Sequence, residues 1–558
     1  FRSALYLCQD LKDLELFHKL DVAADDLPEL FNYPYYHKPN SISLLAADQV
    51  KNELLTGKIK HCFERIGKMF GVLIVKNKLG VIGFLKAFSG KLDNDFWPDG
   101  YVPPVFNVHH KESFFRSGER KIDQMTTEIK KLESSPLLID SINRYEELNE
   151  KLSHFILKEK RRIKAKKEER KNIRLIGQSE LSSSEYFAIN DTLNEQSKQE
   201  QILFKKQKKE LQQKLAEAKN HLNHLREKIA LKKRKRSDMS GSLQKQLFKQ
   251  YRFLNAFGEE KDLLKIFEDT VFKLPPSGAG ECCSPRLLQY AYQNNLRPIC
   301  FTEFWWGVAP ESEVRKQNQH YPACRGKCEP ILSHMLKGVS IDENPLKTSL
   351  KKSVLTVLYE DENLLAIDKP HGMLSVPGKQ VKDSVATRVK KHYPYISGPG
   401  LIHRLDYETS GVLLIAKNKE AHRFIQKQFI ERRVEKKYLA ILDKPLPRKT
   451  GEVCLPIRLD PFDRPRQLVC FKEGKPSKTK FKVIQNKEGS VRVAFYPKTG
   501  RTHQIRVHSA HKKGLNNPIK GDRLYGSINK RLYLHAESIT ILLPSSHKRV
   551  TIKSPCPF

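Results

Sequence analysis

Between about residue 117 and residue 235 the chain holds a single proline, Pro136. From Glu112 to about 240 it is dominated by Lys, Glu, Gln, Arg and Leu. Straight-chain residues of this kind lose little side-chain freedom in a helix, and no ring interrupts the hydrogen-bond ladder. Leu203, Leu211, Leu215, Leu222 and Leu225 recur at helical spacing. The segment Gly177-Gln-Ser-Glu-Leu-Ser-Ser-Ser-Glu-Tyr interrupts the charge pattern. The reading is two long helices joined across that interruption and folded back as an antiparallel, coiled-coil-like hairpin. Because the heptads are imperfect, a single rod or an intermolecular coiled coil stays open beside it.

This segment carries much of an unusual charge. Across 558 residues, 101 Lys and Arg face 64 Asp and Glu, a formal charge of +37. Such an excess favours a polyanionic partner without saying which part of the fold carries it. Residues 158–172 hold nine Lys or Arg, and residues 232–236 read Lys-Lys-Arg-Lys-Arg. Contact with an RNA backbone is preferred to a merely solvated helix surface there; it would add affinity and salt dependence without choosing a base. No run approaches the ~18 continuous apolar residues of a membrane span, so no membrane partner is expected. The opening residues from Phe1 lack a long apolar core and soon turn acidic, so no secretory peptide is expected either. Ten scattered cysteines do not resemble a secreted disulfide scaffold, and a reducing cytoplasm is the expected compartment.

Four units are expected. Residues 1–111 read as a small α/β domain in which Phe70-Gly-Val-Leu-Ile-Val and Gly80-Val-Ile-Gly-Phe-Leu form adjacent strands. Residues 112–240 are the basic helical region, and 241–345 a cysteine-containing connecting domain. Residues 346–558 alternate short strands and turns, with helices fitting 384–391 and 419–431. The fold class is therefore mixed α/β with a largely antiparallel sheet in the last domain.

That last domain carries the chemistry. His403-Arg-Leu-Asp-Tyr-Glu-Thr-Ser-Gly opens directly into the apolar run Val412–Ala416, which gives one carboxylate, Asp406, a rigid support. Alone, an Asp in a loop is more often a cap or turn former. Three further segments accompany it: Leu365-Ala-Ile-Asp-Lys-Pro-His-Gly-Met-Leu-Ser-Val-Pro-Gly, Glu435-Lys-Lys-Tyr-Leu-Ala and Gly500-Arg-Thr-His-Gln-Ile-Arg-Val-His. In this order, and followed by Gly521-Asp-Arg-Leu-Tyr-Gly, they resemble the RluA-type RNA pseudouridine synthases over about residues 354–545.

The resemblance implies isomerisation of uridine within structured RNA, with no cofactor. It places the catalytic aspartate on Asp406, an active-site tyrosine on Tyr438, and on Arg506 the arginine that pairs with the aspartate. It puts Arg404 close to the RNA, where it can take part in displacing the target nucleotide. The segment from Leu365 is expected to support the active-site loop. His403, Arg501, His503 and Lys369 complete the expected RNA-binding set, with Ile505 and Leu532 walling the pocket. Arg506 beside Asp406 would keep the carboxylate ionised and oriented, as a bidentate fork can. Tyr438 offers a ring for stacking and a hydroxyl for proton transfer. His403, His503 and His508 lack acidic companions of metal-site type, and no metal is assigned to them.

The expected substrate is 23S ribosomal RNA, with transfer RNA, or both, as the alternative. A binding or ribosome-assembly factor would not need Asp406, Tyr438 and Arg506 together, and a base-releasing glycosidase would want a second carboxylate. A separate group, Cys282, Cys283, Cys300, Cys324 and Cys328, lies near His320 and His334. Zinc, structural thiols and a disulfide are the alternatives for it. The spacing lacks paired Cys-x-x-Cys knuckles, which favours buried structural thiols; a metal there would stabilise 241–345 rather than catalyse.

Overall fold

The computed structural model describes residues 16–36, 39–93, 97–108, 113–345, 354–378, 381–487 and 489–558. Two units emerge, Val108–Leu247 and the remainder, Phe1–Asn107 with Phe248–Phe558. The opening residues and the 111/112 and 345/346 boundaries read from the sequence fall outside or at the edge of the described residues.

The Val108–Leu247 unit is helical. Helix α2 (Phe114–Glu133; α1, Ser41–Leu55, belongs to the other unit) is followed by α3 (Pro136–Glu180) and α4 (Ser183–Gln250). The arm expected as one helix is broken at Ser134–Ser135, because Pro136 has no N–H to donate and takes the first helical turn, with Ser135 capping Leu138 N. The second break comes at Leu181, extended at φ −111°, after which Glu185 accepts from both N and Oγ of Ser182. Contacts between arms run antiparallel. Arg170 pairs with Glu200 at 2.9 Å, Phe155 stacks on Phe204 at 5.9 Å, and Lys232 pairs with Glu128 at 2.6 Å. Leu152, Leu193, Leu222 and Ile229 are buried along the seam.

The other unit contains two main sheets. The first has the order β1-β3-β2-β4-β5, with β1 His18–Lys19, β2 Lys68–Lys76, β3 Ile82–Phe88, β4 Arg297–Trp306 and β5 His320–Tyr321. β2 and β3 form the expected hairpin, turned by Asn77, whose Oδ1 accepts from the N–H groups of Leu79 and Val81. The other edge of β2 pairs with β4, Phe70 opposite Phe304. Segments read as two domains, 1–111 and 241–345, thus share one sheet and one core, where Phe70 meets Phe88, Tyr101 and Phe304. Helices α1 (Ser41–Leu55) and α5 (Cys283–Gln293) contribute to this body, together with α6 (Cys328–Met335).

The second sheet has nine strands among the described residues. They are β6 Thr356–Glu360, β7 Leu364–Lys369, β8 Ser410–Ala416, β9 Glu435–Leu442, β10 Thr450–Cys454, β13 Lys478–Lys487, β14 Ser490–Pro497, β15 Leu534–Leu542 and β16 Arg549–Lys553. A small ladder, β11 (Ile457–Leu459) with β12 (Gln467–Val469), stands apart. The path runs β10-β13-β14-β9-β15-β8-β7-β6, with β16 on β15. Every pairing is antiparallel except β8 with β15, so the sheet is mixed and largely antiparallel. Helices α7 (Val385–His392), α8 (Lys419–Ile430) and α9 (Gln504–Ala510) belong to this body. No helix among the described residues is long and apolar enough to cross a membrane.

Candidate active site

The loop bearing Asp406 ends in β8, which is buried at all of its positions. Gly411 has φ +115°, and a Cβ there would lie 2.2 Å from Ala536 O. Only glycine lets β8 and β15 meet in parallel at that point, which anchors the C-terminal side of the loop. On the N-terminal side, the Ser375 hydroxyl donates to Leu405 O at 2.7 Å and accepts from Leu405 N at 3.0 Å. Gly372 N and Lys369 Nζ both donate to Tyr407 O, and His371 Nδ1 bonds Glu408 O at 2.6 Å. The segment from Leu365 is therefore a cradle for the backbone of residues 405–408.

Asp406 retains 20% side-chain exposure and lines a cavity of about 160 Å³ together with Arg404, Tyr438, Arg501, His503 and Arg506. Tyr438 reaches it from β9, where a register shift between Lys437 and Tyr438 re-aims the side chain. His503, in the left-handed region at φ +52°, caps α9 and donates its N–H to the Asp406 carboxylate. Arg506, on the first turn of α9, brings Nη1 to 4.0 Å from Asp406 Oδ2. Burial holds the Asp406 carboxyl above the ordinary carboxylate range, opposed by Arg506, Arg404, Lys369 and the His503 N–H. Burial, and then Asp406 itself, keeps the Tyr438 phenol protonated well beyond neutrality.

The arginine fork does not close on Asp406. Its Nε and Nη2 donate to Asp522 at 2.8 and 2.6 Å, and Nη2 also lies 3.4 Å from Glu408. Asp522 is fully buried and accepts as well from Leu524 N and Tyr525 N, so the bidentate position was already taken.

Three residues expected at the RNA surface turn their side chains inward. Lys369 is fully buried, and its Nζ donates to Pro370 O, Met373 O and Tyr407 O, so it braces the loop and cannot reach RNA. His403 accepts from Leu414 N through Nε2 and stacks on Phe429; burial pushes its pKa down to about 3. His503 is 6% exposed, with Nδ1 at 2.9 Å from the Tyr525 hydroxyl. Arg404 and Arg501 remain exposed at the cavity mouth. Ile505 lines the cavity, whereas the wall position expected for Leu532 is taken by Leu534.

Sequence reasoning missed Asp522, Glu408, Ser375 and Tyr36. The first three lie inside the quoted motifs, where an acid or hydroxyl beside a buried loop was the available signal. Tyr36 had none. Its hydroxyl donates to Glu408 Oε1 at 2.9 Å, and Arg523 lies 4.7 Å over its ring. Tyr35, Tyr36 and Arg325 line a second cavity of about 340 Å³ that shares Arg404, Asp406 and Arg506 with the first.

Residues 363–511 match the family described as RNA pseudouridylate synthase. The chain is 41% identical over 213 residues to the dual-specificity RNA pseudouridine synthase RluA of Escherichia coli K12, covering 37% of this chain and 94% of that protein. Against RluA of Vibrio cholerae the identity is 40% over 211 residues, 37% of this chain and 84% of the relative. Among solved structures, human RNA pseudouridylate synthase domain containing 4 is 27% identical, with 36% of this chain and 88% of that chain covered and a TM-score of 0.30.

Proposed function

The chain belongs to the RluA family of RNA pseudouridine synthases, and we propose that it isomerises uridines in more than one class of structured RNA, with Asp406 as nucleophile. The observation that carries the assignment of Asp406 is its position: a part-buried carboxylate on a cradled loop, facing one cavity with Tyr438 and Arg506.

Isomerisation requires a group that attacks sugar or base, a means of holding the detached uracil, and a base that removes a carbon-bound proton. A carboxylate supplies the first function as a covalent nucleophile. Arg506 biases Asp406 toward the ionised form, and Asp522 and Glu408 hold Arg506 in place. Tyr438 stacks on the base, and its un-ionised hydroxyl acts in the final proton transfer as a relay, accepting the carbon-bound proton while passing its own to the Asp406 carboxylate. A stacked or paired uridine must first be flipped out, and Arg404, exposed at the mouth, steadies the vacated strand.

The sequence alone favoured 23S ribosomal RNA. The relatives are named as dual-specificity enzymes, which supports the alternative reading, ribosomal together with transfer RNA. The basic helical arms supply sequence-independent backbone contacts.

The test is a site-resolved pseudouridine map of total cellular RNA from cells with the intact protein, without it, or with Asp406→Ala. Sites lost from both ribosomal and transfer RNA in the two defective strains are expected. Loss from one RNA class alone would overturn dual specificity. An unchanged map with the protein expressed would overturn the catalytic reading.

A further inference from the structure

We propose that Cys282, Cys324 and Cys328 bind a zinc-class divalent ion, which fixes the Cys324–Cys328 loop as a wall of the cavity beside Asp406. The three Sγ atoms lie within 4.8 Å of one another, and those of Cys324 and Cys328 are 3.5 Å apart. A tetrahedral zinc ion about 2.3 Å from each sulfur places the sulfurs ~3.8 Å apart, so little movement is needed to close on the ion.

Folding sorts the five clustered cysteines. Cys283 donates its thiol to Met69 O, and Cys300 faces Asn40 Oδ1. His334 Nε2 is engaged with Phe253 O, and His320 lies between Thr302 and Lys51. The adjacent pair Cys282-Cys283 therefore contributes one ligand, Cys282. Cys282 stands at the N-cap of α5 with no side-chain capping bond, and Cys328 is the first residue of α6. Backbone N–H groups of Lys327 and Cys328 point at the Cys324 sulfur.

Cys282, Cys324 and Cys328 all line one cavity of about 780 Å³, together with the buried Glu303. A water drawn from this cavity would complete a tetrahedral site of three sulfurs and one oxygen.

The ion's role is positional. Gly326, at the tip of the Cys324–Cys328 loop, donates its N–H to Phe462 O at 2.8 Å. A Cβ on Gly326 would lie 2.2 Å from that oxygen, so only glycine permits the approach. Lys327 Nζ sits 5.1 Å over the Phe462 ring, and Arg325 lines the cavity shared with Asp406. Three thiolates thus tie the start of α5 to a loop that docks on the C-terminal body next to the pocket.

The full chain, purified under reducing conditions, should contain about one zinc per chain. After chelation, Co²⁺ alone should restore the stoichiometry and give thiolate-to-cobalt charge-transfer absorption with intense tetrahedral d–d bands. X-ray absorption on the zinc form should resolve three sulfurs and one lighter ligand. Cys324→Ser and Cys328→Ser should each lose the metal, whereas Cys283→Ser should keep it. Stripping zinc should lower the melting temperature and raise KM for RNA more than it lowers kcat. Wild-type protein that is folded yet takes up neither Zn²⁺ nor Co²⁺ would overturn the site, as would a mapped disulfide among the three cysteines. Retention of full metal by both serine variants would overturn the ligand assignment.

Discussion

Arg506 grips Asp522 through Nε and Nη2 at 2.8 and 2.6 Å, and thereby offers Asp406 only Nη1, at 4.0 Å. A tighter bond to Asp406 would spread the carboxylate's charge into the guanidinium and blunt its attack. The fork held by Asp522 keeps Arg506 near enough to favour ionisation while leaving the Asp406 oxygens facing the cavity. Asp522 is in this sense a positioning residue that acts through Arg506.

Asp522→Asn should therefore damage turnover without touching RNA directly. The amide cannot accept both guanidinium bonds, and a buried cation loses its main counter-charge, a change that costs about 3–5 kcal/mol when a buried pair is broken. Arg506 then turns toward Asp406, and a displacement on the ångström scale lowers kcat by about 10²-fold. Single-turnover kinetics alongside denaturant unfolding reads both effects. A variant that loses stability while keeping wild-type kcat would show that Asp522 serves the fold alone.

The Asp406 carboxyl makes the opposite trade. Its folded-state pKa is raised by burial, so the native state binds the proton more tightly than the unfolded chain. Stability from this group is present at low pH and is lost as pH rises from the unfolded value, near ~4, through the raised one. Asp406→Asn should consequently be inactive and, at neutral pH, more stable than the wild type, the difference shrinking as pH falls toward ~4. Arg506 keeps Asp522 and Glu408 as partners in that variant, so no buried cation is orphaned. Melting temperatures of the two proteins across pH 4 to 8 decide it; a destabilised Asn variant at neutral pH would refute the argument.

Much of this site was legible. The motif wording located the loop, its strand and the three residues that share the cavity, because those relations are carried by short segments of chain. The β2–β3 hairpin was visible in two apolar runs and the Lys-Asn-Lys-Leu-Gly turn between them. Long-range choices were not. An arginine near an aspartate can be inferred from motifs, but which of three nearby acids takes its fork depends on packing. His403, His503 and Lys369 look like RNA contacts in sequence because they are polar and sit among motif residues, yet each is turned inward to bond backbone or core. Nothing in periodicity reveals that β2 pairs with β4 across the whole helical excursion, or that Tyr36 meets Glu408.

Lys369 gives the clearest test of the cradle. Its three donors satisfy three carbonyls, two of them within the Leu365–Gly378 segment and one on the Asp406 loop. Lys369→Met keeps the aliphatic stem and removes every bond. Leaving buried carbonyls unsatisfied should cost about 2–4 kcal/mol. Hydrogen exchange should accelerate over residues 403–409, and kcat should drop with it, while equilibrium binding to RNA stays near wild type. A selective loss of RNA affinity would instead restore Lys369 to the RNA surface.

The basic helical arm divides into paired and unpaired charge. Arg162, Lys166 and Arg170 converge on Glu200, at 3.9, 4.0 and 2.9 Å. Lys158, Lys160, Arg161 and Lys164 are exposed on the same helix. If these four meet phosphates, replacing them with Gln, a residue of comparable helix propensity, should weaken RNA binding most at low salt. The slope of log affinity against log salt should become shallower by about 0.7–0.9 for each contact removed. Catalysis on saturating RNA should be unchanged, since the pocket lies in the other unit. Replacing Glu200 with Gln frees Lys166 and Arg170, while Arg162 keeps Glu159 at 2.8 Å, and should steepen the same slope. Identical slopes for the wild type and the four-Gln variant would mean that this face of the helix is solvated surface, and that the charge excess acts elsewhere in the chain.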